Sequence, residues 1–279
     1  MQTYLEDCLW GKFLLLQGDF ISDHMKVYGE WSEAEVALFR LLLTPEATVV
    51  EVGANIGTHA VALAKLCAKG RVYCFEPQRP IFTLLCANLA LNGIVNAHPL
   101  HCAVGGEAGE IEIETSDYSQ PFNYGSFSID KGFSTENAYA AGTWREPVRL
   151  TTLDSEPALR GLQRLDFLKI DVEGLEVPVL RGGDALIRKH QPMIFCEANK
   201  AETFGAITSA LRGYGYTPYW FAAQRFRAGN FKRSTQAIQG SDVNLIAFPA
   251  GRPRPALDLI EATGFDQITS GEVKAFMLK

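Results

Sequence analysis

The chain has 279 residues, room for one large core or for one core with a small cap. Hydrophobic residues make up 47% of it and charged residues 21%, which excludes a disordered chain. The formal net charge of −6 argues against a nucleic-acid backbone as the main partner, because phosphates select a basic face.

Residues 1–47 are expected to form an N-terminal cap segment. Its longest apolar run, Phe13 to Leu16, is far too short for a signal or membrane segment, so no membrane span is expected. Thr48 to Val52 reads as a buried strand, Ile56 to Cys67 as a helix and Arg71 to Phe75 as a second strand. Ile81, Leu84, Leu85 and Leu89 repeat with helical spacing up to Asn92-Gly93, and Ala97 to Val104 reads as a third strand. "GEIEIET" and "PVRLTTLD" then alternate in period two, around a long polar and aromatic stretch from Ser116 to Glu146. This predicts a β-hairpin insertion over 106–150, with a loop long enough to be functional. Strand and helix order resumes with "LDFLKID", a helix around Val177 to Arg181 interrupted at Gly182-Gly183, "PMIFCEA" and a helix from Glu202 to Arg212. "TPYWFA" and "VNLIAFP" close as an antiparallel edge hairpin. The whole predicts an α/β domain over 48–249, a doubly wound, mostly parallel sheet with an antiparallel edge strand. A Pro-rich linker opens the 250–279 tail. The six cysteines lack CxxC pairs and metal-ligand spacing, and read as buried, reduced thiols of a cytoplasmic protein.

The first strand-to-helix turn, "VVEVGANIGTHA", lies where doubly wound sheets bind ligands. Gly53 permits a tight turn, and Gly57 a close approach to the helix start. The pattern is not the G-x-G-x-x-G of a dinucleotide site, nor a triphosphate loop. Glu51, inside the strand, would repel a phosphate and suits a ligand carrying an ammonium or sulfonium. Glu76 follows the second strand, where a ribose-binding acid is expected. Together these fit S-adenosylmethionine, with S-adenosylhomocysteine as product. Both glycines read alternatively as simple turn residues.

Seven segments run in order from Gly29 to Asn199: "GEWSEAE", "VVEVGANIGTHAVALA", "VYCFEPQ", "LHCAVG", "LTTLDS", "LDFLKIDVEGLEVPVLRGG" and "IFCEAN". In these the chain resembles the FkbM-type methyltransferases, which transfer a methyl group from S-adenosylmethionine. The resemblance implies a Rossmann-like methyltransferase fold. It also implies O-methylation of a hydroxyl on a sugar, polysaccharide or secondary metabolite, and so a small-molecule or glycan partner. By it, Glu51, Gly53, Asn55 and Gly57 would hold the methionine end and Glu76 the ribose hydroxyls. Pro77 and Gln78 would flank the adenosine, Ala103 and Val104 would lie near adenine, and Asp171 would lie beneath the methionine.

A hydroxyl acceptor needs help with its proton. Asp171, Glu173 and Glu197, at or just past the ends of strands, are the candidate acids. In an extended backbone Asp171 and Glu173 would point into one pocket. Alternatively, Glu173 caps the following helix while Asp171 only hydrogen-bonds the cofactor. Asp171, Glu197 and Asn199 also resemble the metal site of catechol-type O-methyltransferases, so a divalent metal is the alternative to a base, though not expected. Asn123, Tyr124 and Phe127, with Trp31, are expected to form the lid and acceptor wall; Trp31 reads equally as a core anchor. His59 reads as a ligand residue or as one packed on the sheet. Two other classes stay open: a nicotinamide-dependent oxidoreductase, and a non-catalytic binding module on the same fold.

Overall fold

The computed structural model describes residues 1–133, 139, 142–238, 240–252 and 255–276. The chain opens with an antiparallel hairpin, β1 (Thr3–Cys8) and β2 (Gly11–Leu16), whose second strand buries Phe13, Leu15 and Leu16. Helix α1 (Phe20–Tyr28) follows, its first turn capped by Asp19, which accepts from Ser22 N. Helix α2 (Glu33–Leu42) completes the N-terminal segment.

Strand β3 (Thr48–Val52) is buried along its whole length, as a strand covered on both faces must be. It leads through the glycine turn into α3 (Thr58–Leu66). Next come β4 (Arg71–Phe75), α4 (Arg79–Leu91) and β5 (Ala97–Leu100). The expected third strand is therefore shorter than its apolar run. Cys102 N donates to Leu100 O at 3.1 Å, and this tight turn takes the chain out of the sheet. Ala103–Val104 (β6) joins β7 (Gly109–Ser116) and β8 (Thr143–Thr151) in a separate three-stranded sheet, order β6-β8-β7. The period-two segments do form the expected antiparallel hairpin.

The chain returns to the main sheet with β9 (Phe167–Ile170). Helices α5 (Glu176–Gly182) and α6 (Asp184–His190) meet at the Gly182-Gly183 break. Then come β10 (Met193–Glu197), α7 (Ala201–Gly213), β11 (Tyr216–Gln224) and β12 (Ser241–Pro249). The sheet has seven strands in the order β11-β12-β10-β9-β3-β4-β5. The antiparallel strand β12 is not at the edge. It pairs with β10 on one side and β11 on the other, leaving β11 outermost. The tail covers that edge: Trp220 N donates to Ile260 O and Ala262 N to Pro218 O, and Trp220 Nε1 reaches Gln267 on α8 (Asp266–Thr269).

The two-residue period of the strands sorts their side chains into two cores. Val49, Val72, Cys74, Phe167 and Phe195 face α2, α3, α4 and the insertion. Val50, Val52, Tyr73, Leu168, Ile170 and Ile194 face α5, α6 and α7. Glu51 and Lys169 occupy positions on the first of these faces, opposite each other in the β3–β9 register. All six cysteines are free thiols, five of them buried. Among the described residues no helix is long and apolar enough to cross a membrane.

Candidate active site

The strand order reverses between β3 and β9, and a pocket opens over the carboxyl ends there. Its first wall is the β3–α3 turn. Gly53 N and Ala54 N both donate to Phe75 O, at 3.0 and 2.9 Å, so the turn hangs from the end of β4. Gly53 has φ +87°, and a Cβ there would stand 1.8 Å from Asp171 O. The close approach that demands this glycine thus comes from the chain leaving β9. Gly57, at φ +89°, starts α3, and a Cβ would meet Leu85 Cδ1 at 2.7 Å, so its neighbour is α4. Gly57 does not line the pocket, whereas Gly53 and Asn55 do.

Glu76 stands just past β4, is 3% exposed and lines the pocket. Its Oε2 accepts from Asn55 N at 3.0 Å and its Oε1 from Gln78 N at 2.8 Å. Burial pushes its carboxyl up to about 7, against the pull of those two bonds. Pro77, Gln78, Ala103 and Val104 line the same side.

The floor holds a buried charge cluster. Lys169, 1% exposed, donates from Nζ to Asp171 Oδ2 at 3.0 Å and stands 3.7 Å from Glu51 Oε1. Burial alone would lower its pKa, but Asp171, Glu51 and Glu35 together carry it above the usual lysine value. Glu51 moves the other way: burial raises its carboxyl to about 7 although Lys169 is near. The geometry explains the difference. Lys169 stands at hydrogen-bond distance from Asp171 but 3.7 Å from Glu51, whose oxygens are buried. Glu51 lies beneath the pocket and does not line it, while Asp171 does. His59, in the first turn of α3, also lines the floor, its Nε2 3.5 Å from Glu35 Oε2. Burial and the Lys169 charge push its pKa well below the ordinary value, favouring the neutral ring.

The acceptor-side acids come next. Asp171, Glu173, Glu197 and Asn199 all line the pocket. The backbone at Glu173 is not extended: φ is +51°, and its Oε2 accepts from Lys200 Nζ at 2.8 Å. Nor does Glu173 cap the next helix, whose N-cap is Leu175. Burial, and then repulsion from Asp171, Glu173 and Glu176, hold the Glu197 carboxyl well above the usual range. Asn199 uses both ends of its amide, donating from Nδ2 to Glu197 Oε1 and accepting from Val243 N. Among the described residues no group of three or more His, Cys, Asp or Glu is arranged to hold a metal ion.

Trp31, Asn123 and Phe127 line the opposite wall with Phe20. Trp31 also packs on the core, edge-on to Phe20 at 6.0 Å. Tyr124 lies behind this wall. It is fully buried, its ring tilted 32° against that of Tyr118 at 4.6 Å, with its hydroxyl donating to Gln120 O. Of the Ser116 to Glu146 stretch, residues 134–138, 140 and 141 lie outside the described residues.

Sequence reasoning missed Lys169, and with it Glu35, Ser32, Arg225, Asp242 and Asn244, which also line the pocket. Arg225 donates to Asp242 Oδ1 at 2.9 and 2.7 Å and lies over the Phe20 ring. Asn244 Nδ2 donates to Glu35 Oε1 at 3.0 Å. Two signals were available: a lysine inside "LDFLKID" and an asparagine inside "VNLIAFP", each a polar residue in an otherwise apolar strand.

A doubly wound sheet with its pocket at the switch point, an acid just past β4 and no phosphate loop defines the Rossmann-like α/β class of protein. The chain belongs to the FkbM methyltransferase family, whose methyltransferase FkbM domain matches residues 51–218. It is 29% identical over 157 residues to Methyltransferase sdnD of Sordaria araneosa, covering 49% of this chain and 60% of that protein. It is 26% identical over 178 residues to 2-O-methyltransferase NoeI of Sinorhizobium fredii, covering 59% of this chain and 68% of that one. The solved structure of Methyltransferase FkbM from Methylobacillus flagellatus KT is similar at 15% identity and a TM-score of 0.48. That likeness covers 80% of this chain and 49% of the other.

Proposed function

We propose that the chain is an S-adenosylmethionine-dependent O-methyltransferase acting on a hydroxyl of a sugar, polysaccharide or secondary metabolite. The observation that carries this reading is Glu76: a buried carboxylate on the pocket wall, held by two backbone N–H groups beside the β3–α3 turn. Each of its oxygens retains capacity to accept a second hydrogen bond, as a ribose diol requires. S-adenosylmethionine supplies a methyl group already activated on a sulfonium. Asp171, Glu173 and Glu197 on the pocket wall are carboxylates that suit a cationic ligand better than a phosphate.

The chain's own part is to hold, orient and deprotonate. Glu76, held by Asn55 N, takes the nucleoside end. Trp31 and Phe127 present apolar faces, and Asn123 an amide, to a hydroxylated ring. Glu197 takes the acceptor's proton: its raised pKa makes it a better base than an ordinary carboxylate, and Asn199 orients it. The name of the relative NoeI, a 2-O-methyltransferase, agrees with a hydroxyl acceptor.

Calorimetry with S-adenosylhomocysteine tests the cofactor. Glu76→Gln removes charge-assisted bonds worth about 1.5–3 kcal/mol, so affinity should fall tenfold or more. An affinity within about twofold of wild type would remove Glu76 from the ribose. The pH dependence follows from the same group. Ribose donors favour the ionised carboxylate, so binding releases the proton that Glu76 carries below its pKa of about 7. Affinity should weaken as pH falls through about 7 in the wild type, and that weakening should be smaller in Glu76→Gln.

A further inference from the structure

Gln78 stands between the two halves of the pocket. It is 4% exposed and begins α4 as its N-cap. Its backbone N–H holds Glu76 Oε1 at 2.8 Å. Its side-chain amide reaches into the insertion, where Nε2 donates to Tyr124 O at 3.2 Å and Oε1 accepts from Tyr118 Oη at 3.1 Å, and it also favours the ionised Glu76 carboxylate. Tyr124 opens a single 3₁₀ turn, Tyr124–Ser126, whose flanking residues Asn123 and Phe127 line the acceptor wall. The same turn is pinned from behind by Asp19 Oδ1, which accepts from Tyr124 N at 3.3 Å. One buried residue thus touches the nucleoside acid with its backbone and the acceptor wall with its side chain.

We propose that Gln78 is a positioning residue coupling occupancy at Glu76 to the order of the acceptor wall, so that bound cofactor sets the surface on which the acceptor rests. This rests on the cofactor reading above. The physical basis is shared ordering. A ligand that fixes the Glu76 carboxylate fixes the backbone at Gln78, and the amide carries that restraint to Tyr118 and Tyr124. The second ligand then meets a wall already ordered, and the ordering cost is divided between the two binding steps. Both amide atoms of Gln78 are hydrogen-bonded to the insertion, so a side chain of similar size with no amide breaks the path while the backbone bond to Glu76 remains.

Hydrogen exchange on the full chain, with and without S-adenosylhomocysteine, tests this in the wild type, Gln78→Leu and Tyr118→Phe. In the wild type the ligand should slow exchange both at 53–57 and at 117–127. In Gln78→Leu the backbone bond to Glu76 remains, and the comparison is made at S-adenosylhomocysteine concentrations that calorimetry shows to saturate each protein. Protection should persist at 53–57 and vanish at 117–127. Tyr118→Phe removes one hydroxyl and keeps the ring, so it should lose part of the wall protection even if Gln78→Leu does not fold. Equal wall protection in all three proteins, or none in a wild type that binds ligand, overturns the coupling. A wild type that binds no S-adenosylhomocysteine overturns the cofactor reading instead, and calorimetry separates that result from the others.

Discussion

Glu197→Gln is expected to lower turnover by ~10²–10⁴-fold, the range for removing a general base, while S-adenosylhomocysteine affinity is preserved. Glu197 stands at the end of β10 on the pocket wall, away from Glu76, so the nucleoside end does not feel the change. Three neighbouring carboxylates and burial raise its proton affinity, which a base acting on a weakly acidic hydroxyl needs. A base must be ionised before it acts, so the wild-type rate should climb with pH until this carboxyl has lost its proton. The Gln variant should lack that limb. Glu173→Gln is expected to cost less, because the Glu173 carboxylate is already tied to Lys200 at 2.8 Å. Steady-state kinetics with an identified acceptor decides between them. Normal turnover in Glu197→Gln would leave positioning alone to account for the rate.

Lys169→Met is expected to destabilise the fold by about 3–5 kcal/mol, the cost of leaving a buried charge without its partner. The substitution keeps the apolar stem and removes the ammonium between Asp171 and Glu51. Asp171 is partly exposed, its side chain 42% accessible, and water can replace its lost bond. Glu51 has no such recourse: it is 1% exposed and already raised to about 7 with Lys169 present. Without Lys169 its folded-state pKa rises further above the unfolded value. The variant's relative stability is therefore greatest below the unfolded pKa, and the deficit widens as pH increases through 7 and beyond. Urea denaturation across that range reads the slope. Adding Glu51→Gln to Lys169→Met removes the unpaired charge and should recover much of the loss at alkaline pH. A deficit independent of pH would show that packing, not charge, governs this position.

Period and turn chemistry made the parallel strands and the insertion hairpin legible in the sequence. Buried strands write themselves as short apolar runs, and the glycine turn marks the first crossover. Acids just past strand ends, such as Glu76 and Asp171, could be placed on the pocket because topology alone carries them there. What sequence could not supply was lateral register. Glu51 looked like an acid waiting for a cationic ligand, because nothing local shows that Lys169 lies opposite it in the next strand of the sheet. Glu173 looked extended because left-handed backbone at a glutamate has no local signature. The far wall, with Ser32, Glu35, Arg225 and Asp242, is assembled from segments some two hundred residues apart, where Ser32 Oγ donates to Asp242 Oδ2 at 2.9 Å. Pairing at that range is set by packing and leaves no periodic trace. The position of β12 inside the sheet has the same origin: alternation identifies two closing strands but not which one is outermost.

Methyl transfer from S-adenosylmethionine to oxygen is tested most directly by mass spectrometry with a deuterium-labelled methyl. The purified protein is incubated with labelled S-adenosylmethionine and fractionated small-molecule and glycan extracts, and products are fragmented to locate the label. The predicted result is label in an ether methyl on one hydroxyl of the acceptor, formed with an equal amount of S-adenosylhomocysteine and reduced in Glu76→Gln, at sub-saturating S-adenosylmethionine, and in Glu197→Gln. Label on nitrogen or carbon, or label transferred equally well by both variants, would contradict the account.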